Sequence, residues 1–272
     1  MTHPMRRRAL LLAATLAPAL LAPAQELTFR HFAGTDGGRG WNDGPVATAR
    51  LDTPGGVVAD AAGNLYVADT GSHTIRKVTT SGVVTTLAGL AGVAGSADGK
   101  GGSAFFNGPT GLALDGAGNL WVADTGNYTI RRVSPGGVVT TVAGQAGVSG
   151  FTEVTGSAAR FGYPMGLWWD SARGRLLVAD TWNHRVRGVT AAGVVSTLKV
   201  LGGAEAAFSS PVSVTANGAG DVFVVEGWDK NVVARLTALG ELGTFAGTAW
   251  RTGADDGPAG IGKLSYPMGV VL

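Results

Sequence analysis

The chain reads as an all-β propeller of four-stranded blades, and three observations carry that reading. Residues 109–144, PTGLALDGAGNLWVADTGNYTIRRVSPGGVVTTVAG, recur with the same order of motifs at 54–89, 164–199 and 211–247. Each copy holds four short β-rich runs separated by clusters of Gly, Asn, Asp and Pro, the pattern of an antiparallel meander. No long segment carries a helical period. A repeat near 50 residues cannot bury both faces of its sheet alone, so the copies must stack on one another. Radial stacking of four-stranded sheets makes a propeller, which leaves only short protected edges.

The elements follow in order. Residues 1–24 read as an export signal: Arg6, Arg7 and Arg8 precede an apolar run over 9–21, and Ala22-Pro23-Ala24 offers a small-x-small cut site before Gln25. The apolar run is too short for a comfortable membrane span. The mature chain is thus expected in the periplasm or outside the cell, with no stable membrane insertion. Residues 26–34 (ELTFRHFAG) match the end of a unit and read as a lone last strand. In the 109–144 copy the runs are 111–114, 120–123, 129–133 and 138–143. Asp43-Gly44, Asp98-Gly99 and Asp256-Gly257 recur eleven residues before the next unit's Pro, and Glu153 holds the same place. An apolar residue, Leu51, Phe106, Phe161, Phe208 or Leu264, stands three before each Pro and is expected to plug its linker onto the core.

Composition narrows the function. Losing three arginines with the signal leaves 18 basic against 19 acidic residues, a formal charge of about −1. The basic pI therefore belongs largely to the discarded segment and is no nucleic-acid signature. There is no cysteine, which excludes disulfides, thiolate catalysis and cysteine metal sites.

VADTGSHTIRKV, VADTGNYTIRRV and VADTWNHRVRGV, each preceded by GNL or GRL and a Pro-x-Gly start, resemble NHL repeats. More narrowly they are similar to secreted bacterial proteins with a Gly-rich, Asp-Gly-containing linker between repeats. The resemblance covers nearly all of residues 27–272. It implies propellers that are often six-bladed, that serve many binding roles, and that include some catalytic relatives. The spacing gives four complete blades. Residues 266–272 supply a first strand and 26–34 a last strand, which would share one blade. That count predicts either a chain truncated from a six-bladed ring, standing as an open arc, or a strained five-blade ring.

Candidate chemistry sits at repeated and at unrepeated positions. Asp69, Asp124 and Asp180 end the second run, and Arg76, Arg131 and Arg187 follow seven residues later on the next run. Across a hairpin each Asp meets its Arg or caps the intervening turn. Repetition in every blade favours a structural ion pair. Asp60, Asp115 and Asp170, each six residues after a Pro, are expected to close their own turns. The alternative is that they hold one divalent cation, Ca or Zn. His73 and His184 hold equivalent turns, too few for a convincing zinc set. No nucleophile elbow, P-loop or dinucleotide motif is present, so no catalytic residue and no cofactor is assigned.

Function tends to break symmetry. Trp182 replaces a turn Gly, and Trp228 holds the matching turn of the fourth unit. Trp41 and Trp250 lie in linkers, and Trp168 and Trp169 replace small residues of an innermost run. Exposed turn aromatics suit stacking on a ligand. The expected function is a non-catalytic module binding a protein, a peptide or a cell-surface glycan through Trp182, Trp228, Trp41 and Trp250. The alternative is a metal-dependent propeller enzyme resembling gluconolactonase-type hydrolases or peptidyl-hydroxyglycine lyases, with acidic residues gathered at the axis.

Overall fold

The structure is a computed structural model that describes residues 38–258 and 260–272, all within one compact unit, 32–272. The export signal read over 1–24 and the strand read over 26–34 lie outside the described residues. Four antiparallel sheets follow one another. Sheet I holds β1 (Gly44–Pro45), β2 (Pro54–Ala59), β3 (Leu65–Asp69), β4 (Thr74–Val78) and β5 (Val83–Ala88). Sheet II holds β6 (Gly99–Lys100), β7 (Pro109–Leu114), β8 (Leu120–Asp124), β9 (Thr129–Val133) and β10 (Val138–Ala143). Sheet III holds β11 (Pro164–Asp170), β12 (Arg175–Asp180), β13 (Arg185–Thr190) and β14 (Val195–Thr197). Sheet IV holds β15 (Pro211–Ala216), β16 (Val222–Glu226), β17 (Val232–Leu236) and β18 (Leu242–Ala246). The Asp-Gly linkers add something the strand pattern did not predict: β1 and β6 pair with the outer strands β5 and β10 as a fifth strand.

The first strands β2, β7, β11 and β15 lie side by side. Their Pro-x-Gly starts follow from that crowding. A Cβ on Gly56 would stand 2.5 Å from the Thr110 carbonyl oxygen, and one on Gly111 would strike the carbonyl of Met165. Only a residue without a side chain lets the inner backbones approach this closely. Each of these strands also slips register after its Pro, between Pro109 and Leu112 for example.

The core lies between successive sheets. Trp121 stacks on Trp169 between sheets II and III, rings 5.4 Å apart. Phe106, Phe161 and Phe208 are buried, so the linker plugs expected from the sequence are in place there; Leu51 and Leu264 are half-buried. Residues 266–272 form no strand, although a first strand was expected there; no described residue pairs with their backbone as a strand. No helix among the described residues is long and apolar enough to cross a membrane.

Candidate functional site

The second-to-third-strand turns gather at one end of the sheets and are built alike. A 3-10 turn follows Asp69, Asp124 and Asp180 and ends on His73, Tyr128 or His184, each in the left-handed region at φ 56–59°. The Asp accepts a backbone N–H from the linker plug segment: Asp52 (2.6 Å), Asn107 (2.7 Å) and Gly162 (2.6 Å) respectively. It also pairs with its arginine, Asp69–Arg76 at 2.9 Å, Asp124–Arg131 at 2.7 Å and Asp180–Arg187 at 2.9 Å, all six side chains buried. Burial pushes these carboxyls up, against the pull of the arginines and the N–H donors. The pairs lock turn to linker and offer nothing to a ligand.

Sequence reasoning missed the second partner of each arginine. Asp43 reaches Arg76 at 2.6 Å and Asp98 reaches Arg131 at 2.8 Å. Burial works against the Asp98 charge, but the Thr141 N–H and hydroxyl and the Arg131 guanidinium outweigh it and hold the carboxyl below its ordinary value. The signal was the acidic residue at a fixed distance before each Pro. Unit three departs: Glu153 makes no such pair among the described residues, and Phe151 and Phe161 flank Arg187 at 4.6 and 5.6 Å. Unit four departs further: Ala234 stands where the arginine would be, across from Val224, and Lys230 pairs with Glu226 at 3.2 Å.

The turns are tied to the next sheet. Thr70, Thr125 and Thr181 donate their hydroxyls to the carbonyls of Pro109, Pro164 and Pro211 at 2.7–2.8 Å. His73 Nδ1 accepts the Gly108 N–H at 3.0 Å and His184 Nδ1 the Ser210 N–H at 3.1 Å, so both histidines serve the joints between sheets.

The carboxylates weighed as metal ligands are occupied by their own turns. Asp60 accepts from the Ala62 and Asn64 N–H groups, the Asn64 side chain and the Tyr66 hydroxyl at 2.9–3.2 Å. Asp115 does the same with Ala117, Asn119 and the Trp121 indole at 2.9–3.3 Å. The Asn64 side chain, with the other donors, holds the Asp60 carboxyl below its ordinary value. For Asp115, burial is outweighed by Asn119, Trp121 and Ala117, with the same result. Asp170 is buried against Arg173 and Arg175. The three acids stand on different sheets, each facing its own turn.

The aromatic residues on this turn face form a connected surface. Trp182 stacks on Tyr163 with rings 4.5 Å apart and 12° between planes, and Tyr128 closes on Trp182 at 6.1 Å. Trp228 meets Tyr163 at 6.5 Å, its ring tilted by 50°. Trp182 is 51% exposed and Trp228 36%. The two tryptophans singled out from the sequence are thus joined through Tyr163. Sequence reasoning did not find Tyr163 or Tyr128. Tyr163 holds a left-handed residue (φ 60°) just before Pro164, where unit two has Gly108. A tyrosine tolerated in a conformation that glycine prefers is the signal that was there to read. Trp41 and Trp250 are exposed but stand in linkers outside this stack; Trp250 holds the left-handed position that Gly92 and Gly147 hold in other linkers.

The first strands, with residues 268–271, line a cavity of about 930 Å³ that includes Met165, Trp168 and Trp169. Thr110 and Ser213 are its only hydrogen-bonding side chains apart from the tryptophan indoles, and none of its described lining residues is ionisable.

Successive four-stranded antiparallel sheets that lay their first strands side by side define a β-propeller-type protein. Residues 51–78 and 106–132 match the NHL repeat, so the chain carries NHL repeats in a propeller-like fold. It is similar to Protein SUPPRESSOR OF QUENCHING 1, chloroplastic, of Arabidopsis thaliana, 44% identical over 96 residues, 35% of this chain and 9% of that protein. It is also similar to NHL repeat-containing protein 2 of Gallus gallus, 35% identical over 144 residues, 52% of this chain and 19% of that protein. The chain therefore spans less than a fifth of these curated relatives. Among solved structures it resembles an auxiliary nutrient binding protein from Bacteroides ovatus (TM-score 0.58, 16% identity, 82% of this chain and 55% of that one). It also resembles a catalytically inactive virginiamycin B lyase from Staphylococcus aureus with quinupristin (TM-score 0.53, 17% identity, 72% and 57%). At these identities the likeness shows the fold alone.

Proposed function

We propose that this chain is an exported, non-catalytic binding module that holds a protein, peptide or cell-surface glycan on the turn face formed by Tyr128, Tyr163, Trp182 and Trp228. The observation that carries the reading is the solvent-facing stack of Trp182 on Tyr163, flanked by Trp228. Large flat rings already packed against each other lose little entropy when a sugar ring or a peptide side chain lies on them.

Export is tested by the N-terminal sequence of the mature protein, which is expected to begin at Gln25. Binding is tested on glycan and peptide arrays with the mature chain. The Trp182→Ala/Trp228→Ala double variant is expected to weaken a hit about tenfold, from the loss of two stacking contacts. A hit that binds the double variant with unchanged affinity, or arrays with no hit, would overturn the reading.

A further inference from the structure

The interface between sheets III and IV lacks what fills the other two. Between sheets I and II, Tyr66 carries Lys77 over its ring at 5.5 Å. Between sheets II and III, Trp121 stands opposite Arg132 and stacks on Trp169. At the same register in sheet III stand Leu177 and Gly188. An aromatic ring and a long cation have been exchanged for a leucine and no side chain, and Arg175 lies against the bare Gly188. Beside this interface Arg173, Arg175, residues 197–202 and the turn over 237–240 line a cleft of about 490 Å³.

Three cations border the cleft, Arg173, Arg175 and Lys199, and no carboxylate is among its lining residues. Behind it Asp170, itself buried, is the one acid serving both arginines, at 3.2 Å from Arg173 and 3.7 Å from Arg175. Arg175 Nε is buried and has no hydrogen-bond partner among the described residues. Burial and the like charge of Arg173 push the Arg175 guanidinium down from its ordinary value, against the pull of Asp170. The neighbouring acids are already engaged, Glu205 by Arg185 at 3.1 Å and Asp221 by Arg235 at 2.6 Å. Positive charge is in excess beside a space a small molecule can enter, and guanidinium groups match the paired oxygens of an oxyanion.

The geometry points to a second binding site in this cleft, for a small ligand bearing an oxyanion, phosphate or carboxylate, held by Arg173, Arg175 and Lys199. It lies at the end of β12 opposite to the Trp182 turn, about 17 Å away along an extended strand, so it stands or falls independently of the aromatic face.

The test is the thermal stability of the mature chain titrated with inorganic phosphate and, separately, with succinate, against sodium chloride at equal ionic strength. A saturable rise in Tm beyond chloride is expected, since a ligand that binds only the folded state stabilises it. Phosphate alone, succinate alone or both acting would each support the site and assign its ligand class. Arg173→Gln and Lys199→Gln are each expected to weaken binding about tenfold, the loss of one charged hydrogen bond. Gly188→Lys restores the cation of the other interfaces. A Cβ there lies 3.3 Å from Arg175 Cδ, so the new side chain displaces Arg175 from its place in the cleft lining. That variant should stay folded and lose the response. No rise beyond chloride, or an undiminished response in both Arg173→Gln and Gly188→Lys, would overturn the site.

Discussion

Asp124→Ala tests the physical account of the repeat most severely. The carboxylate accepts from three donors, the Asn107 N–H at 2.7 Å, the Asn127 side chain at 2.8 Å and Arg131 Nη1 at 2.7 Å. Truncation leaves all three without that acceptor, and one is a fully buried guanidinium. Breaking a buried pair from one side costs about 3–5 kcal/mol, because the surviving charge stays dry. Arg131 keeps Asp98 at 2.8 Å and the carbonyls of Phe105 and Ala97, so the expectation is about 3 kcal/mol, the lower end of that range. Asp98→Ala is the matched comparison. That carboxylate is 48% exposed, and unit three does without such a pair among the described residues, so its removal should cost about 1 kcal/mol. Urea unfolding measures both, read as a shift of midpoint at constant slope. Equal costs, or an Asp124→Ala cost within about 1 kcal/mol of zero, would refute the claim that the buried carboxylate holds turn, linker and strand together.

Three further expectations can be checked on the same protein. Gly111→Ala should destabilise by about 1–3 kcal/mol through overpacking, because its Cβ meets the Met165 carbonyl; Gly116→Ala, with nothing within 4 Å, should be nearly silent by the same thermal melt. Tyr163→Gly places in unit three the residue that unit two carries as Gly108, relieving a left-handed tyrosine; stability should change by less than about 1 kcal/mol while ligand binding falls. Asp115 gives a pH test. Its folded-state pKa lies below its unfolded value, so its contribution is fully present above the ordinary carboxylate range and is lost as pH falls through the folded value. Asp115→Asn should therefore flatten the acid limb of a Tm-against-pH curve, and an unchanged limb would refute that.

The repeated part of the molecule was legible because local chemistry alone specifies it. Alternating apolar runs, Gly-Asn turns and an Asp seven residues before an Arg placed the strands of the 109–144 copy within about two residues, the usual uncertainty of element ends. They also placed the buried pairs in register. What escaped depended on neighbours far along the chain. Nothing in the spacing of Asp98 names Arg131 as its partner 33 residues on, and nothing in Arg173, Arg175 or Lys199 alone shows that they border one cleft against sheet IV. Tyr163 was overlooked because a residue before Pro reads as a linker, and only the stacking of Trp182 on it turns it into a surface.

Both candidate sites lie on β12 or beside it, in the unit that departs most from the repeat while keeping its frame. Sheet III retains the Asp180–Arg187 pair, the left-handed His184 and the Thr181 tie to Pro211. Those contacts fix the backbone at the Asp180 end of β12. Trp182, Tyr163, Arg173, Arg175 and Gly188 vary on top of that fixed frame, and none of their side chains makes one of those three contacts. A propeller can specialise one unit in this way because each sheet leans only on its neighbours. It follows that Arg187→Met should disturb the aromatic face, which hangs on the Asp180 end, whereas Trp182→Ala and Gly188→Lys should each weaken one site and leave the other intact. Ligand titrations of these three variants decide whether the sites are separate additions to a shared scaffold. Loss of phosphate or succinate binding in Trp182→Ala would show instead that the two ends of β12 are coupled.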